Sequence, residues 1–255
     1  MRSTSMMKVR KMKTGIIILG IDSEHEGLRP FARRCADSLI NRGRKNVFVA
    51  YGRGEPFAAD VMRRMHDEGT DTFCILPLAI SEGKHTVWLL PGSVRLPDNF
   101  GSWTVIDGKD VATRFSTALG SDPRIADALV RREGGPQTSE AVVLVNRGSP
   151  HSSAERDIGF YTEAFRDAGW RAEHASTVHG NDITKTAKGL VDEGFSRIRV
   201  IPLSIRFCGR FSSSVKDALR GINADISYSE PLTELPEYID ALDSKIPDRW
   251  RMSDR

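Results

Sequence analysis

What most restricts the fold of this chain is that its pattern is written twice. Residues 72–86 read T-F-C-I-L-P-L-A-I-S-E-G-K-H-T, and residues 197–211 read R-I-R-V-I-P-L-S-I-R-F-C-G-R-F. In each copy an apolar run breaks at a proline, Pro77 or Pro202, and opens into a loop. That is the pattern of a buried strand feeding a turn. The apolar stretch 16–19 returns at 141–145, the helical pattern at 28–42 returns at 158–168, and Glu68-Gly69 returns as Glu193-Gly194. Ile21 matches Arg147 and Pro77 matches Pro202 at nearly one offset, but Pro123 matches Pro236 at a shorter one. The first copy is therefore about a dozen residues longer, and the excess falls after His85.

Within the first copy, strands are predicted at 15–20, 46–51, 72–80 and 113–119. Helices are predicted at 28–42 and 57–67, and from Asp122-Pro123 through residue 130, where an acidic cap precedes proline. Alternating strands and helices require crossover connections, hence parallel sheets covered on both faces. The expected fold is α/β, with two duplicated parallel-sheet halves facing a central cleft. The expected division is a basic tail over 1–13, halves at 14–132 and 140–247, a Gly- and Pro-containing linker at 133–139, and a tail at 248–255. Ligands of such sheets sit at the carboxyl ends of the strands, so loops 21–27 and 81–86 should converge. The stretch 91–101, rich in turn residues, is expected to be a mobile lid over the cleft.

Composition narrows the function classes. A net charge of +3 over 255 residues gives no case for nucleic acid, and Arg2, Lys8, Arg10, Lys11 and Lys13 of the tail supply much of the basic excess. The apolar run 15–21 stops at Asp22, too short for a signal peptide or a membrane span, so a cytoplasmic protein without a membrane partner is expected. Cys35, Cys74 and Cys208 are too few and too scattered for a disulfide framework or a Cys-x-x-Cys site. Phosphate-binding glycine motifs are absent, and no organic cofactor is expected.

His85 stands at the tip of the loop that follows the third strand. An imidazole there can act on a ligand or can cap the strand end by a hydrogen bond, and residue type admits both. The ordered set L-G-I-D-S (19–23), Glu55-Pro56, P-L-A-I-S-E-G-K-H (77–85) and L-G-S-D-P-R-I-A-D-A-L (119–129) resembles the CbiX-type sirohydrochlorin cobaltochelatases. The resemblance implies two α/β halves across a cleft, made by a homodimer or by one duplicated chain, that insert a divalent metal into sirohydrochlorin or a related tetrapyrrole. Cobalt is the first candidate as substrate, with iron or nickel as the others, in cofactor biosynthesis such as that of cobalamin. It assigns His85 to the metal site.

This sequence departs from the family where a G-H-G-S motif is expected after the first strand, because Ile21 occupies the histidine position and Arg147 the matching one. His25, four residues beyond Ile21, and His151, four beyond Arg147, are either relocated imidazoles or matched by chance. His85 and His25 are thus the candidate catalytic and metal residues. Asp22 and Glu24 are possible helpers. Arg53, Lys84, Arg206, Arg210 and His179 are candidates to bind substrate carboxylates. The second half carries Phe211 where His85 is expected, so chemistry should belong to the first half. The alternative function is a noncatalytic tetrapyrrole- or metal-binding protein on the same scaffold.

Overall fold

The computed structural model describes residues 12–22, 24, 27–96, 102–150 and 152–247. The first half runs β1 (Thr14–Asp22), α1 (Leu28–Asn41), β2 (Val47–Arg53), α2 (Ala58–Asp67) and β3 (Thr72–Pro77). Next comes α3, which opens as a π turn at His85–Leu89 and continues as α-helix over Leu90–Ser93. The half closes with β4 (Trp103–Ile106), β5 (Lys109–Phe115) and α4 (Pro123–Glu133). The second half follows with β6 (Glu140–Asn146), α5 (Ser152–Asp167), β7 (Arg171–Ser176), α6 (Ile183–Asp192), β8 (Arg197–Pro202), α7 (Gly209–Leu219), β9 (Asp225–Tyr228) and α8 (Glu237–Asp243). The sheets are ordered β2-β1-β3-β5-β4 and β7-β6-β8-β9. Every pairing is parallel except that of β4 with β5. Leu19 pairs with Pro77 as Val145 pairs with Pro202, so the repeat is also one of register.

Strand periodicity sorts the apolar residues into layers. In β1, Ile16 and Ile18 face one cluster, while Ile17 and Leu19 face another with Met62, Met65 and Phe73. In β6, Val142 and Leu144 join the same cluster as Ile16 and Ile18, and Val143 and Val145 turn the other way. The two halves thus share one central core, filled by α1, α4, α5 and α8.

That core is built by exchange, since α4 packs on α5 of the second half and α8 packs back on α1 of the first. Tyr161 of α5 is fully buried, donating its O–H to Gly120 O at 2.7 Å and accepting from the Asp122 N–H at 3.3 Å. Phe31 meets Tyr238 edge to face at 5.2 Å, and Arg44 pairs with Asp243 at 2.7 Å. The expected cap of α4 is present, with the Asp122 carboxylate accepting the Arg124 N–H at 2.9 Å, worth about 1 kcal/mol. Burial raises the Cys35 and Cys74 thiols to about 12, so both are inert core residues.

Three expectations change. The strand expected at 113–119 is β5 at Lys109–Phe115, preceded by an antiparallel partner that was not expected, β4. Asp107 and Gly108, both at positive φ, make the turn between them. An Asp-Gly pair is a strong hairpin signal, and β4 with its turn supplies part of the extra dozen residues. Within the expected lid, Pro91, Val94 and Leu96 are buried, as is Leu90 just before it, and Leu90, Val94 and Leu96 pack with Leu19 and Met62. Residues 91–96 are therefore part of the wall of the first half rather than a lid, because their apolar side chains cover the outer face of its sheet. Residues 97–101 lie outside the described ones.

The third change concerns the repeat of His85. The first helical bond of α3 runs from Val87 N to Gly83 O and that of α7 from Ser212 N to Cys208 O. This register sets His85 opposite Arg210, not Phe211, whose ring instead packs on Phe207 at 5.6 Å.

Candidate active site

The carboxyl ends of β1, β3, β6, β7 and β8 converge on a cavity of about 420 Å³ between the halves. The first half contributes Ile21 and the loop from Leu78 to Thr86, and the second contributes Asn146 to Pro150, Val178, His179 and Leu203 to Ile205. The loop that carries His85 is fixed locally. The Thr86 hydroxyl accepts the Gly83 N–H at 2.8 Å and donates to Gly83 O at 3.1 Å, so the turn preceding the imidazole is closed by its own side chain. Across the cleft Ser149 Oγ lies 3.4 Å from the position a Cβ on Gly83 would occupy, and Ser153 Oγ donates to Glu82 O at 3.2 Å.

The facing loop is equally constrained. Gly148 has φ 76°, and a Cβ there would lie 2.0 Å from His179 O. Glycine is what allows the loops after β6 and β7 to touch, which places Arg147 and His179 on one wall. His85 is half-buried, and its pKa is lowered first by that burial and then by the cationic Arg147, Arg53 and Lys84. All four causes disfavour the imidazolium. A neutral imidazole is what a metal ligand or proton acceptor must present.

Of the residues singled out from sequence, His85, Lys84 and His179 line this cavity, and Arg53 at the end of β2 is close enough to act on His85 electrostatically. Arg206 and Arg210 do not line it. The Arg206 guanidinium reaches over Gly27 and bonds to Cys208 Sγ, while its Nη1 is buried with no hydrogen-bond partner. Arg210 is exposed on α7. His25 and His151 lie outside the described residues, whereas Asp22 and Glu24 are described but do not line the cavity. His66 bonds to Thr70 O at 3.1 Å, and His174 bridges Glu155 at 2.9 Å and Thr162 at 3.3 Å, so both hold structure.

Sequence reasoning missed Glu82 and the part Arg147 takes. Glu82 Oε1 accepts the Ala118 N–H at 2.7 Å, and its Oε2 is buried with no hydrogen-bond partner. Trp88 and Leu89, two of the exposed large apolar residues, follow His85 on α3, and exposed Val178 stands at the cavity wall opposite. No group of three His, Cys, Asp or Glu able to hold a metal occurs among the described residues, nor does a helix long and apolar enough to cross a membrane.

Two parallel α/β units opposed across a cleft, with a neutral imidazole at the carboxyl end of one central sheet, define a chelatase-like bilobal protein. Residues 23–134 match the family model described as CbiX. It is 27% identical over 123 residues to the "Sirohydrochlorin cobaltochelatase" of Methanosarcina barkeri, a match that covers 47% of this chain and 94% of that protein. That relative therefore has the length of one half. Among solved structures, "SirB from Bacillus subtilis with Fe3+" superposes with a TM-score of 0.73 at 16% identity, covering 92% of this chain and 94% of that one. "CbiX, the terminal Enzyme for Biosynthesis of Siroheme in Denitrifying Bacteria" superposes at 0.59 and 14% identity, covering 91% and 100%. At these identities the superpositions establish the fold.

Proposed function

We propose that this chain inserts a divalent metal into sirohydrochlorin or a related tetrapyrrole, with cobalt the first candidate and iron or nickel next, in cofactor biosynthesis of the cobalamin type. The observation that carries the reading is His85, a neutral imidazole at a cavity large enough to admit the edge of a macrocycle. The name of the Methanosarcina barkeri relative supports the same substrate. Insertion exchanges two pyrrole N–H protons for one M²⁺. His85 serves as metal ligand or acceptor of one of those protons, and His25 is the proposed second ligand. Lys84, Arg53 and His179, with Arg206 and Arg210 further out, are proposed to hold the carboxylates of the macrocycle. Trp88, Leu89 and Val178 offer its apolar face a surface. The metal is substrate, and no organic cofactor is invoked.

The proposed working unit is two halves, 14–132 and 140–247, joined at 133–139, as a monomer or homodimer in the cytoplasm with neither nucleic acid nor membrane as partner. A second reading, a binding protein without turnover, draws on one observation: Arg147 occupies the matching slot where the family carries a histidine. Purified protein mixed with sirohydrochlorin and Co²⁺ separates the two by absorbance. Catalysed insertion that His85→Ala abolishes supports the enzyme. Macrocycle binding with insertion no faster than the uncatalysed rate supports the second reading.

A further inference from the structure

The cavity has an electrostatic property that its proposed chemistry does not by itself require. Lys84 and Arg147 line it, and Arg53 acts on the same imidazole. These three fixed cations come from three strand ends in two halves. The carboxylate among the described lining residues is Glu82, and one of its oxygens is committed to the Ala118 N–H at 2.7 Å. Asp22 ends β1 and Glu24 follows it, with the Asp22 carboxylate accepting the Glu24 N–H at 2.9 Å, and neither lines the cavity. A bare divalent cation approaching His85 therefore meets like charge on several sides, and because Arg53, Lys84 and Arg147 are exposed that repulsion is strongest at low ionic strength. Set against it are the His85 and His179 imidazoles and the free oxygen of Glu82, which do not form a group of three able to hold a metal among the described residues. A polycarboxylate meets the opposite field.

We infer that the empty protein does not hold the metal, that the anionic macrocycle must bind first, and that Arg147 enforces this order. The inference rests on the proposed chelatase reading for its substrates. Once the macrocycle's carboxylates have neutralised Lys84, Arg53 and Arg147, the field at His85 no longer opposes M²⁺, and the pyrrole nitrogens supply the missing ligands. Arg147 acts as a positioning residue that excludes premature metal and orients the anion. It is exposed at the end of β6, so its replacement leaves the core intact.

The test is calorimetric titration of Co²⁺ into the full chain without macrocycle, and of uroporphyrin, a metal-free polycarboxylate porphyrin, followed by its fluorescence. Wild type is expected to bind Co²⁺ alone no tighter than millimolar and uroporphyrin at least a hundredfold tighter. Arg147→Gln, which removes the charge, should tighten Co²⁺ at least tenfold and weaken uroporphyrin at least tenfold. Arg147→His, which adds a ligand, should tighten Co²⁺ further. Micromolar binding of Co²⁺ to wild type, abolished by His85→Ala, overturns the order, as does an Arg147→Gln that changes neither affinity. Insertion assays separate this from the parent reading. Ordered binding without insertion defeats the chelatase assignment alone, whereas insertion with tight binding of bare metal defeats the order alone.

Discussion

Gly148→Ala should disable the site through backbone alone. The new Cβ would lie 2.0, 2.7 and 2.9 Å from His179 O, N and C, so the loops after β6 and β7 must part by about 1.5 Å to restore ordinary contact. Parting them breaks the bonds from Thr177 N to Asn146 O (3.2 Å), Val178 N to Arg147 O (3.1 Å) and Thr177 Oγ1 to Arg147 O (3.3 Å). At about 1 kcal/mol each, with about 1 kcal/mol for alanine at positive φ, the loss is about 3–5 kcal/mol. In urea that lowers the unfolding midpoint by about 1–2 M. The control is Gly189→Ala, on the exposed side of α6 with nothing within 4 Å of the added Cβ, which should gain about 1 kcal/mol. Both variants are measured by urea unfolding followed by circular dichroism, with uroporphyrin affinity as the functional readout. An unfolding free energy for Gly148→Ala within about 0.5 kcal/mol of wild type would refute the claim that this contact fixes the wall carrying Arg147 and His179.

Other expectations concern the imidazole and the shared core. Because burial and neighbouring cations lower the His85 pKa, the acid limb of insertion that reports this group should lie below the ordinary histidine value of about 6.5, and Arg147→Gln should move it upward in a pH–rate profile. The same shift means the unfolded chain binds more protons than the folded one between the two pKa values, so stability falls as pH drops through that window. His85→Gln should flatten that part of the stability profile. Leu242→Ala, in the helix that returns to the first half, should cost about 2–5 kcal/mol and unfold both halves in one transition. Separate transitions in differential scanning calorimetry would contradict a shared core. Trp88→Ala, at a half-exposed position, should leave the melting temperature unchanged and weaken macrocycle binding by about tenfold; unchanged affinity would remove Trp88 from the proposed binding face.

The sequence by itself determined the duplication, the alternation of strand and helix, the cap of α4, and the place of His85 at the carboxyl end of a buried strand. These are local properties, since a period of two or 3.6 states which face of an element is apolar, and a proline after an acidic cap states where a helix starts. The hairpin at Asp107-Gly108 was written there too, and was missed because the apolar alternation of β4 is brief beside the turn-rich stretch before it. Tertiary structure alone decided what covers each face. The apolar side of α8 reads the same whether it meets its own half or the other, and the exchange of α4 and α8 is settled by packing across the whole chain. It also decided the electrostatics of the site. Arg53, Lys84 and Arg147 are far apart in sequence, and only the convergence of strand ends from two sheets brings their charge to bear on one imidazole.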